Sequence, residues 1–150
     1  MRLENAFEVD APLEAAWRLL EDVPSVVPCM PGAELLESVD ETAWKAKLSV
    51  KLGPIALQFA TDVRREVSDE AAGRVVLSAR ARELRGRGNA RATIESTLAA
   101  ADDGRTRVSI VTDLTLYGAV AQYGRGVVPD VAARLTREFA ACVERKLTPR

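Results

Sequence analysis

The period of the apolar residues changes along the chain, and each period predicts a different kind of element. After residue 32, apolar and polar residues alternate, as they do in strands that bury one face. The clearest strand has lysine or serine between its five apolar residues, which are Trp44, Ala46, Leu48, Val50 and Leu52. Residues 2–10 alternate in a similar way, so one more strand is predicted at the start of the chain.

Tight turns separate the later strands, which makes sequential strands antiparallel neighbours. Gly53-Pro54 forms one such turn, and Asp102-Asp103-Gly104 is a strong hairpin signal. Six strands are predicted in this region, at residues 33–39, 44–52, 55–64, 74–83, 90–98 and 108–116. In the strand at 74–83, Val75 and Leu77 are expected to face inward, although Val76 competes for that face.

Helical spacing is found near the start of the chain and again at its end. Residues 12–22 predict a short helix, and residues 23–29 predict one further helical turn. The longest helical pattern covers residues 119–146. Its apolar residues recur at spacings of three and four and so share one side of a helix: Val120, Tyr123, Val127, Val131, Leu135, Phe139 and Cys142.

Gly124, Gly126 and Pro129 interrupt the start of this terminal helix. Proline lacks a backbone N–H and its ring crowds the preceding turn, so we expect either a bend at 124–129 or two helices with Pro129 opening the second. The interruption either wraps the helix around the sheet or acts as a hinge that opens a mouth.

The order of elements is one strand, two short helices, six strands and one long helix. This order predicts a single α+β domain over residues 1–150, with no linker or internal repeat. Its seven-stranded antiparallel sheet has one apolar face, which needs a cover. The amphipathic terminal helix is expected to be that cover.

Composition restricts the possible functions. The net charge of −1 gives no electrostatic reason to expect nucleic-acid binding. No histidine is present, which removes the commonest general base and zinc ligand and disfavours an enzyme. No run of about 18 apolar residues predicts a membrane-spanning helix, and the first residues lack the apolar segment of a signal peptide.

The chain has two cysteines, Cys29 and Cys142, far apart in sequence. Two cysteines do not make a disulfide framework, so reduced thiols in a cytoplasmic protein are expected. Cys29 beside Met30 also allows a reactive-thiol interpretation, which the lack of histidine disfavours.

Small residues are predicted where the sheet faces the terminal helix. These are Ala79, Ala81, Ala90 and Ala92, and alanine is not a favoured strand residue. They permit either close packing or a hollow, and we favour a hollow because a curved sheet cannot follow a straight helix along its whole length. The candidate ligand-binding walls are apolar or aromatic: Met30, Trp44, Leu57, Phe59, Leu77, Ile94, Leu114, Tyr123, Val127 and Val131.

Five arginines cluster around one predicted hairpin: Arg80, Arg82, Arg85, Arg87 and Arg91. Such a cluster is most simply a solvated face. It also has the charge to meet an acidic partner or anionic lipid headgroups.

Several local motifs make the chain resemble a known family. The motifs are Cys29-Met30-Pro31-Gly32-Ala33-Glu34 after the Trp17 helix, the Leu52-Gly53-Pro54 turn, and Tyr123-Gly124-Arg125 leading to Leu135 and Phe139. With the element order β-α-α-β6-α, the sequence resembles the helix-grip fold of START and Bet v 1-like (SRPBCC) proteins. Within that superfamily it is similar to the CoxG group of carbon monoxide dehydrogenase subunits over nearly its whole length.

The resemblance implies a non-catalytic accessory protein of a molybdenum-containing CO dehydrogenase or similar hydroxylase. It further implies a hydrophobic cavity, an isoprenoid quinone such as menaquinone or another lipid as cargo, and a peripheral position at the cytoplasmic face of the membrane. Some members extend beyond the terminal helix with a membrane-associating tail, whereas the present sequence ends at Arg150. No catalytic or metal-binding residue is implied.

Two other hypotheses remain open at this point. One is an enzyme of the same fold acting on an apolar substrate, for which only Tyr117 and Tyr123 can be nominated as polar groups in the cavity. The other is an assembly chaperone with a solid core that binds its partner through the outer surface.

Overall fold

The computed structural model describes residues 1–124 and 126–148, and for residues 123 and 124 it describes the backbone alone. The first elements are β1 (Arg2–Val9), α1 (Leu13–Glu21), α2 (Val23–Val26) and a 3-10 turn (Val27–Cys29). The strands that follow are β2 (Ala33–Asp40), β3 (Ala43–Leu52), β4 (Ile55–Asp69), β5 (Arg74–Glu83), β6 (Asn89–Ala100) and β7 (Thr106–Tyr117). The chain then forms α3 (Ala119–Gly124) and α4 (Val128–Leu147). This is the predicted α+β order.

The seven strands form one antiparallel sheet in the order β1-β7-β6-β5-β4-β3-β2. Each strand from β2 to β7 therefore pairs with the strand next to it in sequence, and β1 pairs with β7. We call the face toward α4 the inner face and the opposite face the outer face. The uncertainty at Val76 has a structural cause, because the pairing of β4 with β5 shifts between Arg65 and Val67, and both Val75 and Val76 are buried.

The interruption in the terminal helix produces two separate helices. α3 ends at Gly124, and α4 begins at Val128 with Pro129 in its first turn. Proline fits there because the first N–H groups of a helix have no partner within the helix. Arg125, between the two helices, lies outside the described residues. The backbone of α4 approaches β1, α1 and the 3-10 turn most closely, which leaves the central strands to meet it mainly through side chains.

The expectation of reduced thiols is wrong, because Cys29 and Cys142 form a disulfide. Their Cα atoms are 5.3 Å apart although 113 residues separate them in sequence. The fold lays the 3-10 turn against α4 and so brings the two together. The bond fixes the proline-containing segment after α2 to the last helix, and Cys29 is buried there.

The hydrophobic core is divided into two clusters. The first cluster joins α1 and the C-terminal part of α4 to one end of the sheet, and its buried members include Val9, Trp17, Val108 and Val143. The second cluster lies at the other end, under α3 and the start of α4. Its buried residues are Leu3, Leu52, Leu57, Phe59, Val120 and Val128.

Gly32 in the turn before β2 is predicted to be intolerant of a side chain. Its φ is +81°, and an added Cβ would lie 2.0 Å from the Ser49 carbonyl oxygen. Gly53 has a similar φ of +63° with nothing within 4 Å, so Gly53→Ala isolates the backbone strain, about 1–2 kcal/mol. We expect Gly32→Ala to lower the free energy of unfolding by at least twice as much, measured in urea. Equal losses would contradict the close approach of Gly32 to β3.

Candidate ligand-binding site

The middle of the inner face carries small side chains. Ala79 on β5 pairs with Ala92 on β6, and Ala81 pairs with Ala90. Ala92 is in turn opposite Leu114 on β7. Each of these alanine side chains is a single methyl group, so this part of the sheet fills little of the volume toward α4.

Several inward-facing residues in this region, including two of the alanines, are only partly buried. On the sheet this holds for Ala79, Ala92 and Ile94, and on α4 it holds for Leu135. Leu135 lies on the same side of the helix as Val131 and Phe139, which pack on the second and first clusters respectively. Inward residues that remain accessible border space that solvent can enter. We call this region between the two clusters the central space.

The predicted wall residues differ in burial and in the cluster on which they pack. Trp44, Leu57 and Phe59 are buried, and six are partly buried: Met30, Leu77, Ile94, Leu114, Val127 and Val131. The structure brings five of the ten together in or against the second cluster, namely Leu57, Phe59, Leu114, Val127 and Val131. Leu77 packs on the first cluster. The side chain of Tyr123 lies outside what the structure describes.

Arg65 lies beside Trp44 on the inner face, and it was not among the predicted residues. Its side chain is only 17% exposed. It donates a hydrogen bond to the Glu21 carbonyl oxygen at 3.0 Å, and its guanidinium lies 5.7 Å from the centroid of the Trp44 ring. The β4 alternation that includes Phe59, Thr61 and Val63 continues to position 65, so the strand pattern contained the signal.

Thr61 provides an unusual polar group on the inner face. Its Oγ1 is buried and has no hydrogen-bond partner among the described residues. It lies in the sheet between Ala46 and Ala81. An unsatisfied buried hydroxyl costs about 1–3 kcal/mol, so an acceptor or donor supplied from elsewhere would stabilise it.

Glu83, the last residue of β5, is a second buried polar residue and is 2% exposed. Its carboxylate accepts hydrogen bonds from the backbone N–H groups of Gln58, Arg85 and Arg87, at 3.2, 2.9 and 3.2 Å. Burial by itself raises the pKa of Glu83, but these donors and the Arg87 charge outweigh it and hold the pKa below its ordinary value. The carboxylate therefore organises the β5–β6 turn and has its lone pairs engaged there.

Glu83→Gln is expected to lower the melting temperature by several degrees and to weaken its dependence on acid pH. A depressed carboxyl pKa stabilises the fold above the unfolded-state value, about 4.3, and that stabilisation is lost as pH falls through the folded-state pKa. Thermal unfolding of both proteins between pH 3 and pH 7 measures this. Parallel pH profiles for the two proteins would contradict the assigned role.

The structure also bears on the predicted polar group of the cavity, on metal binding and on membrane-spanning helices. Tyr117, nominated as a polar group of the cavity, is 46% exposed and pairs with Asn89 on the outer face, so that nomination is wrong. Within residues 1–124 and 126–148, no group of three His, Cys, Asp or Glu side chains is placed to hold a metal ion. In the same residues, no helix combines the length and apolar character needed to cross a bilayer.

Cavities open on the surface of the described part of the chain. One of about 680 Å³ crosses the outer face of the sheet, and one of about 380 Å³ lies beside the disulfide, between Pro31 and Glu138. None of the ten predicted wall residues lines either cavity, although the inner-face residues Thr61, Ala81 and Ala90 are among those that line the first. The ligand-binding role of those ten residues therefore stays a prediction about the central space.

Several solved structures have the same architecture and match nearly the whole length of this chain. A conserved protein from Geobacillus kaustophilus is 19% identical, with a TM-score of 0.86 over 98% of this chain and 95% of that one. The Zhui aromatase/cyclase from Streptomyces sp. R1128 is 17% identical, with a TM-score of 0.65 over 99% and 96%. A protein from Thermus thermophilus is 14% identical, with a TM-score of 0.66 over 99% and 100%. At these identities the likeness shows the fold alone.

Comparison with curated proteins gave no match. Family comparison did, because the model of the CoxG subunit of carbon monoxide dehydrogenase matches residues 6–148. That range takes in the first core cluster, all of the second except Leu3, the central space and the disulfide. The chain therefore belongs to the CoxG family of carbon monoxide dehydrogenase subunits, and its fold is the helix-grip fold that the sequence predicted.

Proposed function

We propose that this protein carries an isoprenoid quinone, such as menaquinone, in the central space and delivers it to a CO dehydrogenase-type molybdenum enzyme. The observation that carries the proposal is the divided core. Large side chains interlock at the two ends of α4, whereas alanines face the helix between them. A flat ring with an apolar tail has the shape and chemistry to occupy such a region.

The energetics of transfer suit a carrier. Moving a prenyl tail from water into protein gains about 0.8 kcal/mol per CH₂. The tail starts in lipid, however, which is as apolar as a leucine side chain, so transfer from the bilayer gains little. Weak net transfer permits release, and selection among lipids then depends on the shape of the space and on a few polar contacts.

Thr61 is our candidate for such a polar contact. Its hydroxyl is buried on the inner face without a partner among the described residues. A quinone carbonyl would accept its hydrogen bond, whereas an acyl chain would leave it unsatisfied. The hydroxyl would thus favour a quinone over other lipids of similar size.

An enzyme of the same fold is the second candidate, because the aromatase/cyclase proteins have this architecture. The positions of the polar groups favour the carrier. The Glu83 carboxylate is held by three backbone N–H groups, and Tyr117 lies on the outer face. Neither is free to act on a substrate in the central space.

The partner and the location are further parts of this proposal, and membership of the CoxG family supports the partner. We expect association with a CO dehydrogenase-type enzyme and peripheral contact with the cytoplasmic face of the membrane, where quinone is available. The disulfide argues against this location, because disulfides are rare in reducing compartments.

Quinone uptake from vesicles tests the carrier function. Delipidated protein is incubated with menaquinone-containing vesicles, separated from them by flotation, and extracted for quantification. We expect close to one quinone per protein and no comparable uptake of a saturated acyl lipid. Protein that emerges without quinone, and that also shows no bound lipid by native mass spectrometry when first purified, would contradict the proposal.

A further inference from the structure

The larger cavity lies on the face of the sheet that is turned away from α4. Two rows of outward side chains border it. One row runs across the strands through Lys45, Asp62, Arg80 and Arg91, which are successive cross-strand partners. The second row includes Arg82 and ends at Tyr117. We call this cavity the outer groove.

Positive charge in the outer groove is mostly uncompensated. Lys45 forms an ion pair with Asp62 at 3.0 Å. Arg80, Arg82 and Arg91 take part in no ion pair within the described part of the chain. Arg80 is directly opposite Arg91, and like charges in that position are unfavourable in a sheet. The arrangement is notable because the whole chain carries a net charge of −1.

The shape of the groove indicates an elongated occupant. It extends from Leu36 on β2 to Tyr117 on β7, across six neighbouring strands. With about 4.8 Å between strands, its length is roughly 24 Å, which an extended peptide of about seven residues would span. Leu36 is 58% exposed and Tyr117 is 46% exposed, so an apolar contact is available at each end.

We propose that the outer groove binds an extended acidic segment of a partner protein. Carboxylates in the middle of the segment would pair with Arg80, Arg82 and Arg91, and arginine binds carboxylates in a bidentate manner. Apolar residues at its ends would cover Leu36 and Tyr117. A flat bilayer surface fits less well, because headgroups need no recessed groove.

Binding of a labelled peptide tests the proposal. The probe is a fluorescein-labelled peptide of eight residues with four central glutamates and a leucine at each end, followed by fluorescence anisotropy. The groove variant is Arg80→Gln/Arg82→Gln/Arg91→Gln. The control variant, Arg18→Gln/Arg134→Gln/Arg137→Gln, removes the same charge from exposed positions on the helices. We expect at least tenfold weaker binding for the groove variant and less than twofold for the control.

The same experiment contains the outcomes that would overturn the proposal. Equal loss in both variants would mean that net charge alone attracts the peptide. Equal binding of a peptide with glutamine in place of glutamate would remove the role of the carboxylates. Arginine-dependent binding to phosphatidylglycerol vesicles without peptide binding would assign the groove to a membrane instead. Thermal unfolding of both variants confirms that they are folded.

Discussion

Reduction of the Cys29–Cys142 disulfide is expected to lower the free energy of unfolding by about 3–5 kcal/mol. The bond closes a loop with a sequence separation of 113 residues. Closing a loop of about 100 residues removes chain entropy from the unfolded state worth roughly 4.7 kcal/mol, although measured values are often lower. Urea unfolding with and without a thiol reductant measures the difference.

A double variant provides the control for the reductant. Cys29→Ser/Cys142→Ser should unfold at the midpoint of the reduced protein and should not respond to the reductant. The segment after α2 should also lose its attachment to α4, so its backbone amides should exchange faster. A midpoint that is the same for oxidised and reduced protein would contradict the structural importance of the bond.

Ala92→Phe is expected to lower quinone uptake at least tenfold while leaving the protein folded. Ala92 lies on the inner face between Ala79 and Leu114, so a phenyl ring placed there would occupy the central space. In a well-packed core an insertion of this size costs about 1–3 kcal/mol or more. In a partly empty region the ring instead buries apolar surface, so we expect an unchanged or higher melting temperature.

Thr93→Phe is the matched control for this experiment. Thr93 is the next residue on β6, and its side chain is exposed on the outer face. It adds the same kind of ring without entering the central space, so quinone uptake should be unaffected. A large loss of stability in Ala92→Phe would indicate a solid core. Unimpaired uptake in that variant would place the quinone elsewhere.

Strong local patterns made most of the fold predictable from sequence. The strict alternation around Trp44–Leu52 specified β3, because successive side chains of a strand point to opposite faces of the sheet. Pro129 specified a new helix start, since proline fits a first helical turn and not a helix interior. These features depend on near neighbours in the chain and on the geometry of single elements.

Features that depend on distant contacts were harder to predict. Nothing in the sequence indicated that Cys29 would meet Cys142, because the pairing exists only after the 3-10 turn packs on α4. Arg65 and Glu83 were not predicted to face inward. Extending the strand alternation reaches both positions, but it cannot show that backbone groups near each residue satisfy its charge. The outer groove was also hidden, because it needs six strands in register.

Methyl-detected NMR tests most directly whether a quinone binds in the central space. Delipidated protein is titrated with a menaquinone that has a short prenyl tail. We expect saturable shifts at one equivalent for the methyl groups of Ile94, Leu114 and Val131, with Leu36 on the outer face unchanged. Inner-face signals that stay fixed throughout the titration, or shifts confined to Leu36, would contradict it.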